Sequence, residues 1–312
     1  MDSSVKYLRT MVRGAYDLQK LRIQMGLRLC ANFRARLGKP EEEAGEEGEL
    51  SSAALDLIAL LKASYGRLTD GIARNRTLPA REGFTGDELI GDFPELILVD
   101  QYVRLERDET TNFKQLTEVL DTIPIYTEYL KEQRGIGPAM ASVLISYFDP
   151  AKARHVSSFW KYAGLDVGPD GTGRSRRKEH LVKRTYTDRN GEEQERDGIT
   201  YEPFLKTKLM GVLAGSFLRS GSPWRKVYDN YKHRLESDPA RTKITVAQWK
   251  KHHRAGDDTK HLWTPGRIHT ASSRYMIKMF LAEFWATWRR LEGLPVSEPY
   301  AVSKQGRRPH AA

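Results

Sequence analysis

The stretch Arg134-Gly135-Ile136-Gly137-Pro138-Ala139-Met140-Ala141-Ser142-Val143-Leu144 constrains this chain more than any other. Two glycines around one apolar residue let the backbone turn through positive φ. Pro138 suits a first helical position, and the apolar residues after it keep a helical period. The pattern reads as a helix-hairpin-helix over 123–149. A short helix runs from Ile123 to Gln133, and a second from Ala139 to Phe148 is stopped by Asp149-Pro150. The start of the second helix offers backbone amides to an anion, so Gly135, Ile136, Gly137 and Ala139 are candidate phosphate contacts, with Ile136 tucked inward. The competing reading is a purely structural turn.

Elsewhere the apolar period is also helical. Leu8, Val12, Ala15, Leu18, Leu21, Met25, Leu29 and Phe33 define a long helix ending near Gly38-Lys39-Pro40. Ser51 or Ser52 caps a second, running through Leu55, Ile58, Leu61 and Leu68. A third extends from about Phe93 towards Lys114. Within it, Leu96-Ile97-Leu98-Val99-Asp100 has an alternative reading as a buried strand carrying Asp100 to a metal site, but no alternating neighbours exist to complete a sheet. Helical character returns over Pro203 to Leu235, Thr245 to Arg254, and His269 to Leu291, whose apolar side holds Met276, Met279, Phe280, Phe284, Trp285 and Trp288. The fold class is mainly α. An N-terminal helical region spans 1–122 with an acidic loop at 39–50. A second region, 123–295, holds the hairpin motif, a loop or β-hairpin arm at 166–199 and the C-terminal helices at 203–291, and a basic tail follows at 296–312.

Lysine and arginine number 51 against 41 acidic residues, a net +10, which favours a polyanionic partner without choosing between DNA and RNA. The charge is densest at Arg174, Arg176, Arg177, Lys178, Lys183 and Arg184, where only Glu179 opposes it. These six are candidate nucleic-acid contacts, weighed against a merely solvated loop. Thr185, Tyr186 and Thr187 suit a first strand, and Asp188-Arg189-Asn190-Gly191-Glu192 a turn.

One cysteine, Cys30, leaves no intramolecular disulfide and no thiolate zinc cluster, and fits a reducing compartment. No run reaches the roughly 18 apolar residues of a membrane span. A soluble, cytoplasmic protein is expected, nucleoid-associated in a bacterium, with no membrane partner. His252, His253, His261 and His269 with Asp257 and Asp258 have the chemistry of metal ligands but no compact zinc spacing, so no metal is assigned and no cofactor is evident. Phe159, Trp160 and Tyr162 read as core packing ahead of base stacking. Walker, dinucleotide and HExxH signatures do not occur.

Gly135-Ile136-Gly137-Pro138 with Ala141, the segment Ser157 to Leu165, a Gly/basic loop and a Leu/Lys-rich helix from Leu205 together resemble the C-terminal domain of DEDD-type insertion-sequence transposases. The resemblance spans roughly residues 100 to 290. It implies a relative of RNA-guided recombinases, which pair a ribonuclease H-like domain bearing four acidic residues with a helical domain bearing a serine nucleophile. The chain departs from that pattern twice. Its first 120 residues read as helical, and Gly168-Pro169-Asp170-Gly171-Thr172-Gly173-Arg174-Ser175 stands where the family carries a Ser-Gly-Gly element. On this resemblance Ser175 is the first candidate if a nucleophile survives and Thr172 the alternative, with a non-catalytic loop read ahead of either, a guide RNA is an implied cofactor, and a homo-oligomer is implied. The leading functional reading is a nucleic-acid-binding relative of mobile-element transposases that grips the phosphate backbone of DNA, or of structured RNA, for recombination or transposition. The alternatives are an active serine-dependent recombinase and a non-enzymatic helical assembly protein.

Overall fold

A computed structural model describes residues 3–38, 50–69, 78–168 and 170–297. The acidic stretch 39–49 and the tail 298–312 lie outside the described residues. No described helix is long and apolar enough to cross a membrane. The chain divides into two compact units, one comprising Tyr7–Glu118 and the other the residues on either side of it.

Among the described residues three helices build the Tyr7–Glu118 unit: α1 (Ser3–Arg36), α2 (Ser52–Leu68) and most of α3 (Phe93–Leu120). Ser51 caps α2 by accepting the Ala54 N–H at 3.2 Å. The face α2 buries is Ala54, Leu57, Ile58, Leu61 and Tyr65, whereas Leu55, expected inside, is exposed. Leu21 of α1 is likewise exposed, while Leu29 and Phe33 enter the core. The strand alternative for 96–100 does not hold. These residues lie in α3, where Leu96, Val99 and Val103 share one buried face at helical spacing. Asp100 is buried among protein donors instead of standing at a strand end, accepting Tyr65 Oη–H at 2.6 Å and pairing with Arg104 at 2.7 Å. Asp87 organises the approach to α3. It accepts the Leu89 and Ile90 N–H groups at 2.9 Å each, Ser64 Oγ at 2.7 Å and Arg67 at 3.0 Å. Burial pushes its pKa up, but these donors outweigh burial and hold it at about 2.

In the second unit the expected helix over 123–133 is broken into α4 (Pro124–Thr127) and a 3₁₀ turn at Leu130–Glu132. Tyr129 leaves helical geometry at φ −139°, and the bend buries both Tyr129 and Leu130. Helix α5 (Pro138–Tyr147) follows, then α6 (Val156–Tyr162). The arm is a hairpin of β1 (Val182–Thr187) and β2 (Glu193–Gly198), antiparallel with Val182 opposite Gly198 and Thr187 opposite Glu193. Asp188 accepts two turn amides, and Gly191 takes φ +86°.

The expected helical stretch from Pro203 is segmented. It comprises α7 (Pro203–Thr207), a π-helical turn over Lys208–Leu213, α8 (Ala214–Arg219) and, beyond Gly221 at φ +67°, α9 (Trp224–Ser237). A two-residue parallel pair, β3 (Thr242–Lys243) and β4 (Leu262–Trp263), brackets α10 (Val246–Ala255). Helix α10 begins with a capping box between Thr245 and Gln248. The closing helix α11 (Pro265–Leu291) starts four residues before the expected His269, because Thr264 caps it and Pro265 occupies its first turn. Its buried stripe of Met276, Ile277, Phe280, Phe284, Trp285 and Trp288 is the spine of this unit. Phe159 of α6 stacks on Phe148 at 4.1 Å, and Phe217 and Trp224 meet Phe280 edge-on at 5.2 and 5.6 Å.

Candidate functional site

The loop between α6 and β1 folds on itself before it reaches the hairpin. Val167 and Gly173 form an isolated bridge, Gly168 N–H donates to Thr172 O at 2.7 Å, and Arg174 N–H donates to Asp166 O at 3.0 Å. This closure puts Asp170 at the tip of a small turn, facing the 3₁₀ turn Lys178–His180. The His180 ring is buried, and only a glycine at 168 leaves room for it, since a Cβ there would sit 2.5 Å from Nε2.

His180 links two side chains through its two nitrogens. Nδ1 lies 3.0 Å from both the Ser175 N–H and Ser175 Oγ, and Nε2 lies 3.0 Å from Asp170 Oδ1. A backbone N–H can only donate, so Nδ1 bears the lone pair, and the ring proton sits on Nε2 facing the carboxylate. That single lone pair is shared between the Ser175 N–H and Ser175 Oγ–H, while Ser175 Oγ accepts from Arg177 Nε at 3.1 Å. The Thr172 hydroxyl, the His180 ring and the Thr172 N–H all donate to Asp170 and hold its carboxyl well below the usual range. Chemically this is a hydroxyl next to an oriented base and a guanidinium, the arrangement that activates a serine oxygen. Thr172 differs, because its hydroxyl donates to Asp170 at 2.7 Å and accepts from Arg177.

The basic run is unevenly committed. Arg174 forms a two-pronged pair with Asp166, with Nη2 to Oδ2 at 2.7 Å, Lys183 pairs with Asp197 at 3.2 Å, and Arg184 donates to the Ile199 carbonyl at 2.7 Å. Arg176 and Lys178 are exposed. Beyond Arg184 the arm is not basic. Residues 182–198 carry four cations against five carboxylates, so the positive field belongs to the loop and not to the hairpin.

The glycine turn also differs from its sequence reading. Only Gly135 uses positive φ, at +93°, and it packs onto α8, where Ser216 Oγ donates to its carbonyl at 2.8 Å. Gly137, at φ −91°, is exposed as the N-cap of α5, and Ile136 is buried. Phe159 and Leu165 are core residues. The histidines at 252, 253 and 269 take separate partners in Asp257, Trp249 and Tyr228. Among the described residues no group of three His, Cys, Asp or Glu side chains could hold a metal ion.

Sequence reasoning passed over His180 and Asp170. A histidine five residues beyond Ser175 and an aspartate between two glycines were the available signals, but nothing local says that the loop closes and brings them together. It also passed over Lys206, Arg274 and Lys278, which come from distant helices.

The described fold is that of a mainly helical protein. Residues 127–188 match the model of the transposase IS116/IS110/IS902 family, a segment running from the end of α4 through the glycine turn and the serine loop into β1. The chain is thereby related to the transposases of mobile elements. No curated protein and no solved structure matches it.

Proposed function

We propose that this protein grips the phosphate backbone of DNA in recombination or transposition, and that Ser175 is its reacting hydroxyl. The observation that carries the reading is the Ser175 Oγ held between His180 Nδ1 and Arg177 Nε, with Asp170 behind the imidazole. In the proposed step Ser175 Oγ attacks the phosphorus of a strand. An O–P bond to the protein forms, the bond to one sugar oxygen breaks, His180 takes the serine proton, and that proton returns to the departing sugar hydroxyl. Arg177 offsets the charge that develops on oxygen. Exposed Arg176 and Lys178, together with the amides at the start of α5, supply sequence-independent grip. A guide RNA and a homo-oligomer belong to the same proposal through the family resemblance alone.

The test is a nicked duplex cut from DNA flanking the protein's own gene, labelled on the strand that would stay attached. Wild type should acquire covalent label, Ser175→Ala should lose it while still binding the duplex, and His180→Asn should label more slowly. Equal labelling by Ser175→Ala would remove Ser175 from the mechanism. Duplex affinity that does not change with salt would remove the backbone grip, because each neutralised phosphate contributes about −0.9 to the log–log slope.

A further inference from the structure

Three half-buried cations stand behind the serine loop with almost no anion to balance them. Lys206 comes from α7, and Arg274 and Lys278 lie one turn apart on α11. Gly173 rests directly on the Arg274 guanidinium, and a methyl group at 173 would overlap it. The backbone leading into Ser175 is thus seated on this arginine. Lys206 Nζ donates to the Arg174 carbonyl and lies 4.6 Å from the Tyr201 ring. Lys278 Nζ lies 4.3 Å over Trp160, whose Nε1 donates back to the Lys278 carbonyl at 3.1 Å. The two aromatic rings fix where the ammonium groups point.

Arg274 Nε is buried without a hydrogen-bond partner among the described residues. The carboxylate that faces the group, Asp166, is already spent on Arg174. Burial first, and then the Arg274 charge, lower both Lys206 and Lys278, and burial lowers Arg274 itself. A buried donor with no partner is destabilising, and like charges held together add to that cost. An arrangement that is unfavourable when empty becomes favourable once an anion with several acceptor oxygens fills it.

We propose that Arg274, Lys206 and Lys278 form a phosphate seat beneath the Ser175 loop that takes the non-bridging oxygens of a nucleic-acid backbone phosphate. The nucleic-acid source of that phosphate rests on the proposed function above, whereas the anion site itself does not. Exposed loop cations attract any polyanion, but this seat fixes one phosphate beside the serine.

The experiment uses the full chain with two probes, inorganic phosphate and a short fluorescent duplex. Phosphate should raise the melting temperature of wild type and displace the duplex. Arg274→Gln should abolish the phosphate response and weaken duplex binding about tenfold, equivalent to ~1.4 kcal/mol. Lys278→Met, which leaves the arginine under Gly173 in place, should reduce both and decides the matter if Arg274→Gln does not fold. Lys250→Gln, an exposed control on α10, should change neither. A wild type that ignores phosphate, or folded variants that respond like wild type, would overturn the seat. Phosphate that binds without displacing the duplex would overturn its assignment to backbone. Ser175→Ala should keep the phosphate response, so a Ser175→Ala variant that labels as wild type does, with the phosphate response intact, would bring down the serine assignment alone.

Discussion

Gly135→Ala and Gly137→Ala are expected to separate sharply, although the residues are two apart and look equivalent in sequence. At 135 the backbone sits at φ +93°, a region that costs an L-residue roughly 1–2 kcal/mol. An added Cβ would also stand 2.8 Å from Ser220 Oγ and 3.0 Å from the Phe217 ring. Ser220 Oγ can rotate away, but Phe217 is fully buried between Trp224 and Phe280, so overpacking adds about 1–3 kcal/mol. The net expectation is a loss of about 2–4 kcal/mol, after the small gain that alanine brings by restricting the unfolded chain. At 137 the φ of −91° is ordinary and nothing lies within 4 Å of the added methyl, so the change should stay within about 0.5 kcal/mol. All six tryptophans fall between Trp160 and Trp288, so urea unfolding followed by tryptophan fluorescence reports the second unit by itself. Midpoints for the two variants that coincide would refute the distinction. If Gly137 also faces a phosphate, Gly137→Ala should weaken duplex binding with no stability loss.

The Lys206 ammonium, pulled down from 10.5 to about 8, binds its proton less tightly folded than unfolded. Between pH 8 and 10.5 the unfolded state therefore holds more protons. Wild-type stability should rise relative to Lys206→Met across that window by roughly 1–3 kcal/mol, read from paired urea midpoints, and a constant gap would contradict the burial. Asp87 behaves oppositely. Its pKa is lowered from 3.8 to about 2, so the stability it contributes is complete above about pH 4 and is lost as pH falls towards 2. Asp87→Ala should cost the first unit about 1–2 kcal/mol at pH 7 by circular dichroism, with the difference shrinking below pH 4. Tyr65→Phe removes a 2.6 Å donor from buried Asp100 and should cost about 1–3 kcal/mol in the same assay, with an unchanged midpoint as the contrary result.

Helix positions were readable wherever a local signal exists. Ser51 before α2 and the stripe from Met276 to Trp288, Met279 apart, are written within a few residues of chain and appear as read, and the capping box of Thr245 with Gln248 is an equally local signal that the helix reading did not use. Boundaries moved where packing outweighed periodicity. Tyr129 and Leu130 turn inward and end α4 early, and Leu21 and Leu55 match the apolar pattern yet face solvent. The hairpin followed from its turn residues, but its charge balance did not follow from the basic residues that precede it.

A helical, basic chain with a glycine turn, a serine among arginines and a family resemblance can be read along the chain alone, because propensity, capping and net charge act over short stretches. Folding in three dimensions settles which partners those residues meet. It spent Gly135 on packing against α8 and drew Asp166 onto Arg174. It turned His180 towards both Ser175 and Asp170, and set Lys206, Arg274 and Lys278 under the loop from two separate helices. Loop closure and helix packing join residues from five to about a hundred positions apart, and neither periodicity nor spacing encodes which of them will meet.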